Sequence, residues 1–380
     1  MPMTRPTPDR LPDRLPDRLP DRLPDRLPEL GFYGLAGAPE SPRELLDEVR
    51  TGEDLGLGSV FLSERFNIKE VVTLSGAAAA VSTDLDIATG VTNHNTRHPM
   101  VTASFATTMH RLTGGRFSLG LGRGIAPLQS LYGLPPITSA QLEDFVGLMR
   151  RMWHGEMIFG HDGPAGKFPF LHLDASFDED IPMLLSAFGP NSLRLAGRVF
   201  DGVILHTFFT DETLVRCVET VRRAAEQAGR DPASVRIWSC FATVGDHIDP
   251  DLRLRKTVGR LATYLQGYGD LMVETNRWDP APLARFRADP VVAAVPGAID
   301  GTATVDQLEH IATLLPPEWL APAATGSPEQ CATAVRGQLD LGADAVILHG
   351  ATPTELAPVI AAYREARTVG RSRANRGRPG

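Results

Sequence analysis

Eight short apolar runs, each followed by a stretch of helical periodicity, constrain the fold of this chain more than any other feature. They fall at residues 30–35, 59–64, 85–91, 116–122, 183–189, 202–206, 235–244 and 345–349. Amphipathic segments such as 42–55, 71–81, 99–112, 140–153 and 212–228 lie between them. Strands apolar on both faces that alternate with helices build a parallel sheet. Eight such units are what a closed (β/α)8 barrel needs, so the expected fold class is α/β, a TIM barrel. Ser41 and Asp211 are expected to cap two of the helices, with Gly56 and Gly229 as stops.

Two stretches break the alternation. Residues 155–181 carry Gly155, Gly160, Gly163, Pro164, Gly166 and Pro169, which suits a hairpin or loop excursion. Residues 246–325 separate the seventh and eighth runs, with helices expected near 250–268 and 304–314. A barrel of about 250 residues with these two insertions fills 29–369 as one elaborated domain. Before it, Asp9 to Pro28 is five copies of Asp-Arg-Leu-Pro. A proline at every fourth position forbids a helix, so 1–28 is expected to be a disordered tail. Residues 370–380, with four arginines, are expected to be a second, basic one.

Charge and composition narrow the function. The whole chain carries a formal charge of −8, but between the tails 28 basic face 41 acidic side chains, a net of −13. Such a body has no broad attraction for nucleic acid. No run of eighteen apolar residues occurs, so no membrane span is expected. No apolar leader is visible at the N-terminus, and the expectation is a cytoplasmic protein. Cys217, Cys240 and Cys331 are odd in number and far apart, which argues against a disulfide framework or a zinc ribbon.

In a parallel barrel the chemistry gathers at the carboxyl ends of the strands. Those ends read Ser63-Glu64-Arg65, then Gly90 through Pro99, then Gly120-Leu121-Gly122-Arg123-Gly124. Phe188-Gly189-Pro190-Asn191-Ser192, His206, Cys240 and His349-Gly350 complete the set. The glycine run at 120–124 is not a dinucleotide fingerprint, because Ile125 or Pro127 stands where the third glycine belongs. It suits instead the close approach of a flat ring or of backbone. The turn at 188–192 opens a helix whose free N–H groups suit a phosphate. His94 and His98 sit on a loop rather than one helical face, no His-Glu-x-x-His is present, and no metal is expected. His206 and His349 are either structural histidines or pocket-lining ones.

The segment Ala88-Thr89-Gly90-Val91-Thr92-Asn93-His94-Asn95-Thr96-Arg97-His98-Pro99 resembles the third-strand motif of the luciferase-like monooxygenase superfamily. The closest resemblance is to the branch that uses the deazaflavin coenzyme F420. Arg116 to Gly122 resembles that family's fourth strand. Phe188-Gly189-Pro190-Asn191-Ser192 resembles its phosphate turn, and Ala196-Gly197 and Asp201-Gly202 resemble the next helix and the sixth strand. Residues 328–342 and 344–349 resemble its last helix and strand.

The resemblance covers about residues 30–365. It implies a cofactor ring at the carboxyl mouth, backed by a non-prolyl cis peptide at Gly90–Val91. It also implies cofactor contacts from Gly90, Val91, Asn93, Gly122, Arg123 and the turn Phe188, Gly189, Pro190, Asn191 and Ser192. Glu64 and Arg65 are implied on the substrate side as acid–base and orienting groups, with His206 and His349 as weaker pocket candidates.

The expected function is hydride transfer between F420 and a small alcohol, carbonyl or activated alkene, by a homodimer. The alternatives are an FMN-dependent monooxygenase using oxygen and a non-catalytic deazaflavin- or flavin-binding protein. A lysine-dependent lyase barrel is disfavoured because Lys69, Lys167 and Lys256 lie off the strands. Arg65 and Arg123 stand where sugar-phosphate dehydrogenases of this family carry a histidine and an acid, which argues against sugar-phosphate oxidation.

Overall fold

The structure is a computed structural model that describes residues 26–376, apart from Ala38, Asn67 and Ala175, with side chains as far as Thr368. The expected 1–28 tail lies outside the described residues up to position 25, as do residues 377–380 of the expected second tail. The final helix, Pro353–Arg376, runs into that second segment.

Eleven strands are present among the described residues. They are β1 (Leu27–Tyr33), β2 (Leu57–Leu62), β3 (Asp86–Thr89), β4 (Phe117–Leu121), β5 (Ile158–Gly163) and β6 (Gly166–Leu171). β7 (Met183–Ser186), β8 (Gly202–Ile204), β9 (Arg236–Gly245), β10 (Ala324–Gly326) and β11 (Ala345–His349) come after them. Eight of them close a parallel ring in the order β1, β2, β3, β4, β7, β8, β9, β11 and back to β1. All six residues of β2 are buried, as a strand covered on both faces requires.

Each of the eight expected runs forms a ring strand, and the ends shift by a few residues. β1 starts at Leu27, inside the last copy of the repeat, because that side chain is fully buried beneath the barrel wall. The ring's interior is filled by Phe61, Ala88, Leu184, Ile204, Trp238, Ala345 and Ile347, contributed by six different strands. Phe61 meets Trp238 edge-on, with ring centroids 4.8 Å apart. The barrel is therefore a packed core with its working surface at one end.

The two insertions resolve differently. Residues 158–171 form the expected antiparallel hairpin, β5 with β6. The second insertion is more than two helices. Pro250–Leu254 passes through a π-helical turn, Arg255–Gly259, into Arg260–Asn276, and further short helices lead to Val305–Leu314. These elements share an apolar core of their own that runs from Phe208 and Ala242 at the barrel rim to Trp319. A helical cap thus sits beside the mouth.

The expected caps need correction at two helices. Asp211 is the first helical residue, and Thr210 is the cap, its hydroxyl accepting from Thr213 N–H. Glu44–Asp54 starts three residues after Ser41, whose hydroxyl accepts from Arg43 N–H instead. Among the described residues no helix is long and apolar enough to cross a membrane.

Candidate active site at the barrel mouth

Beyond Thr89 the third strand leaves its regular ladder, and the Gly90–Val91 peptide bond is cis, as the family resemblance implies. The displaced segment is held from both sides. Gly90 N–H donates to Leu62 O at 2.6 Å and Glu64 N–H donates to Val91 O at 3.0 Å. Thr92 N–H donates to Gly120 O and Gly122 N–H to Thr92 O, both at 2.9 Å.

This bulge explains the glycines around it. A β-carbon at Gly120 would lie 1.9 Å from Thr89 O, and one at Gly122 would lie 2.4 Å from Val91 Cγ2. One at Gly90 would lie 2.9 Å from Phe61 Cβ. Of the two close approaches that the glycines at 120 and 122 allow, a flat ring or backbone, the structure shows the second, made by the protein's own third strand.

Glu64 is not placed as a free acid or base. Its side chain is only 1% exposed, and both carboxylate oxygens receive the Arg97 guanidinium at 2.8 Å. Thr92 Oγ1 donates to the same carboxylate, and Arg97 also pairs with Glu70. Glu70 in turn caps the helix Val71–Val81 through Val72 and Thr73 N–H. A bidentate, buried pair of this kind fixes geometry. Here it clamps the end of β2 to the segment after the bulge. With both oxygens engaged by Arg97 and one also by Thr92, Glu64 stands in the structure as part of this clamp, not as the free acid–base group that the resemblance implies.

The remaining candidates divide into two groups. Asn93 donates from Nδ2 to Gly122 O at 2.8 Å and so braces the bulge. Arg123 turns to Ile137 O and Ser139 Oγ, at 3.0 and 2.7 Å, and anchors the loop beyond β4. His98 Nδ1 caps the helix Pro99–Thr113 by accepting from Met100 N–H. His94 packs against Phe145 with its Nε2 buried and unpartnered. Among the described residues no three potential metal ligands gather.

At β7 the chain turns into the helix Pro190–Val199, with Gly189 at the N-cap and no side chain capping it. A β-carbon at Gly189 would meet nothing within 4 Å, so the space over the turn is open. Asn191 Oδ1 accepts from Arg194, which leaves the first N–H groups of the helix facing outward. Unpaired N–H groups and the positive end of the helix dipole favour negative charge at such a turn.

An aromatic group lines the mouth, and the sequence singles out only half of it. His206 sits 4.5 Å from Phe188, 4.7 Å from Tyr264 and 5.3 Å from Tyr268, ring centre to ring centre. Tyr33 and His349 meet edge-on at 5.3 Å. Tyr33, Phe188, His206, Tyr264, Tyr268 and His349 are each only partly covered, so together they line an accessible cleft. Phe188, His206 and His349 are strand-end candidates in the sequence, whereas Tyr33, Tyr264 and Tyr268 are not, and the four-residue spacing of Tyr264 and Tyr268 on the helix Arg260–Asn276 is the one sequence signal for those two. Tyr268 departs from helical geometry, at φ −158° and ψ 39°, between Gly267 and Gly269.

The hydrogen bonds settle the His206 tautomer. Nδ1 lies 3.0 Å from Thr207 O, a pure acceptor, so Nδ1 carries the proton. Nε2 then accepts from the Tyr268 hydroxyl at 2.8 Å. Enclosure by protein pushes His206 down to about 4 and His349 well below the usual histidine range. The same enclosure raises Tyr264 to about 12.

Loss of hydration at these imidazoles within the cleft makes stability depend on pH. In the unfolded chain they protonate near pH ~6.5, whereas in the fold they stay neutral. Stability is complete above pH ~6.5 and falls by at most about 1.4 kcal/mol per unit for His206 as the pH drops to about 4. Melting temperature against pH measures this, and His206→Gln should flatten the slope.

The profile of the luciferase-like monooxygenase family matches residues 28–345. The chain belongs to that family. This luciferase-like protein is 26% identical over 323 residues to a 5,10-methylenetetrahydromethanopterin reductase of Methanolobus tindarius, covering 83% of this chain and 93% of that one. Its fold superposes on the coenzyme F420-dependent tetrahydromethanopterin reductase of Methanopyrus kandleri with a TM-score of 0.73 at 18% identity, over 89% and 99% of the chains. It also superposes on an F420-dependent secondary alcohol dehydrogenase in complex with an F420–acetone adduct, with a TM-score of 0.65 at 18% identity, over 88% and 99%. Those superpositions establish the shared barrel fold.

Proposed function

We propose that this luciferase-like protein is an oxidoreductase that transfers hydride between coenzyme F420 and a small organic alcohol, carbonyl or activated alkene. The observation that carries the proposal is the open turn at 188–192, an anion seat at one side of an aromatic-lined mouth. Gly189, Asn191 and Ser192 would hold the coenzyme's phosphate there. The outer side of the Gly90–Val91 bulge would back its ring. The F420-dependent tetrahydromethanopterin reductase and the F420-dependent secondary alcohol dehydrogenase, each superposing over 99% of its chain, support the same choice of coenzyme.

When bound, a deazaflavin gives or takes hydride at its C5 carbon. The protein's part is placement in a dry, shaped pocket. The Glu64–Arg97 pair and Asn93 hold the bulge that fixes the ring plane. Phe188, Tyr264 and Tyr33 exclude water from the reacting face. The Tyr268 hydroxyl and His206 hold one hydrogen-bonded proton between them at the mouth, where a substrate oxygen gaining or losing charge needs it.

Ser192→Asp tests the anion seat. A carboxylate in the first turn favours the helix but repels a phosphate, so the melting temperature should hold or rise. The dissociation constant for F420 should increase at least tenfold. Unchanged F420 affinity in this variant would place the phosphate elsewhere.

A further inference from the structure

The turn after β1, residues 34–37, gathers cations that the proposed hydride transfer does not use. Lys69, 7% exposed, donates from Nζ to Gly34 O at 3.1 Å and to Leu35 O at 2.9 Å. Arg65 donates to Gly37 O at 2.8 Å. The Arg260 guanidinium reaches the same glycine, its Nη2 lying 3.8 Å from where a Gly37 β-carbon would stand. Arg260 pairs with Asp300 at 2.7 Å and covers the Tyr264 ring.

Among the described residues neither Arg65 nor Lys69 has a carboxylate within ion-pair distance. Glu48 is the acid that acts on Lys69 through space, and its carboxylate already accepts from Leu35 N–H at 2.7 Å. Three cations therefore face two acids. Two buried polar atoms of the same group, Arg260 Nε and His349 Nδ1, have no hydrogen-bond partner. Tyr264 links them, its hydroxyl 3.4 Å from His349 Nε2. Burying uncompensated charge and unpartnered donors is costly, so the arrangement suits an anion that completes it.

Topology says which ligand brings that anion. In the eight-strand ring β7, which carries the phosphate turn, is diametrically opposite β1. A cofactor seated by its phosphate at β7 extends to the centre of the mouth and leaves the β1–β2 side to its reaction partner.

We propose that Arg65, Lys69 and Arg260 form a subsite for a carboxylate on the substrate, so that the substrates are organic acids. This substrate class rests on the F420 proposal for its place in the reaction, but the anion site itself does not.

The test is calorimetric titration of the full chain, with and without F420, using 4-oxopentanoate and its neutral analogue 2-pentanone. The carboxylate should bind at least tenfold more tightly than the ketone without F420 present. Arg65→Met should remove most of that difference and Arg65→Lys should restore part of it, while F420 affinity stays within about twofold of the original. Equal affinity for the two probes, no binding of the carboxylate, or no effect of Arg65→Met would overturn the proposal. A tenfold loss of F420 affinity in Arg65→Met would overturn it too, by assigning the cations to the coenzyme. If the carboxylate binds as expected and F420 does not bind at all, the anion site stands and the coenzyme assignment falls.

Discussion

Replacing Arg97 with methionine should destabilise the protein by about 3–5 kcal/mol, the usual cost of stripping one partner from a buried ion pair. The cause is Glu64, left 1% exposed with a charge and only the Thr92 hydroxyl and weaker contacts to satisfy it. Glu70 loses the same partner, although it stays half exposed and keeps its helix-capping bonds. Adding Glu64→Gln to Arg97→Met should recover part of the loss, because the amide carries no charge into the interior. Urea unfolding of the two single variants and the double variant gives the coupling directly. Additive losses would mean that the pair does not act as a clamp. F420 affinity should fall with Arg97→Met more than with any substitution on the outer helices, since the clamp holds the bulge against which the ring is placed.

Glycine-to-alanine changes at 120 and 122 should separate folding from binding. At Gly120 the added methyl would sit 1.9 Å from a backbone carbonyl, Thr89 O, which cannot move without breaking the third strand from the fourth. Overpacking costs typically about 1–3 kcal/mol and occasionally more. Gly120→Ala belongs at or above the top of that range, and little soluble protein is expected. At Gly122 the obstacle is a side-chain methyl, Val91 Cγ2 at 2.4 Å. Val91 can shift toward the mouth, so Gly122→Ala should fold with a modest loss of stability. Its F420 affinity should drop at least tenfold, because the shifted Val91 intrudes on the face that backs the ring. Thermal unfolding together with coenzyme titration checks both, and equal behaviour of the two variants would contradict the packing argument.

The barrel is legible in the sequence because its cause is local. Eight buried strands and the helices between them each carry their own periodicity, and the ring strands fall where the apolar runs predict. The exact ends are less so. Thr210 and Asp211 are both good capping residues in adjacent positions, and tertiary packing decides which one caps.

The site is legible only in outline. Glycines at 120 and 122 signal a close approach, but the sequence does not say whether a ligand or the chain itself comes close. Here Thr89 and Val91 occupy that space. Glu64 and Arg97 are 33 residues apart and meet because β2 and β3 are neighbours, a fact of sheet order that no spacing encodes. Tyr264 and Tyr268 lie in the longer insertion, and their helix is brought over the mouth by its own apolar core. The Gly90–Val91 cis bond is anticipated through family resemblance, not from composition or periodicity.

Titration of the purified chain with oxidised F420 and, separately, with FMN tests the central claim most directly. Binding of F420 at micromolar concentration or tighter, with FMN at least tenfold weaker, is the predicted result. Tighter binding of FMN would contradict it and move the assignment to an oxygen-using monooxygenase on the same barrel.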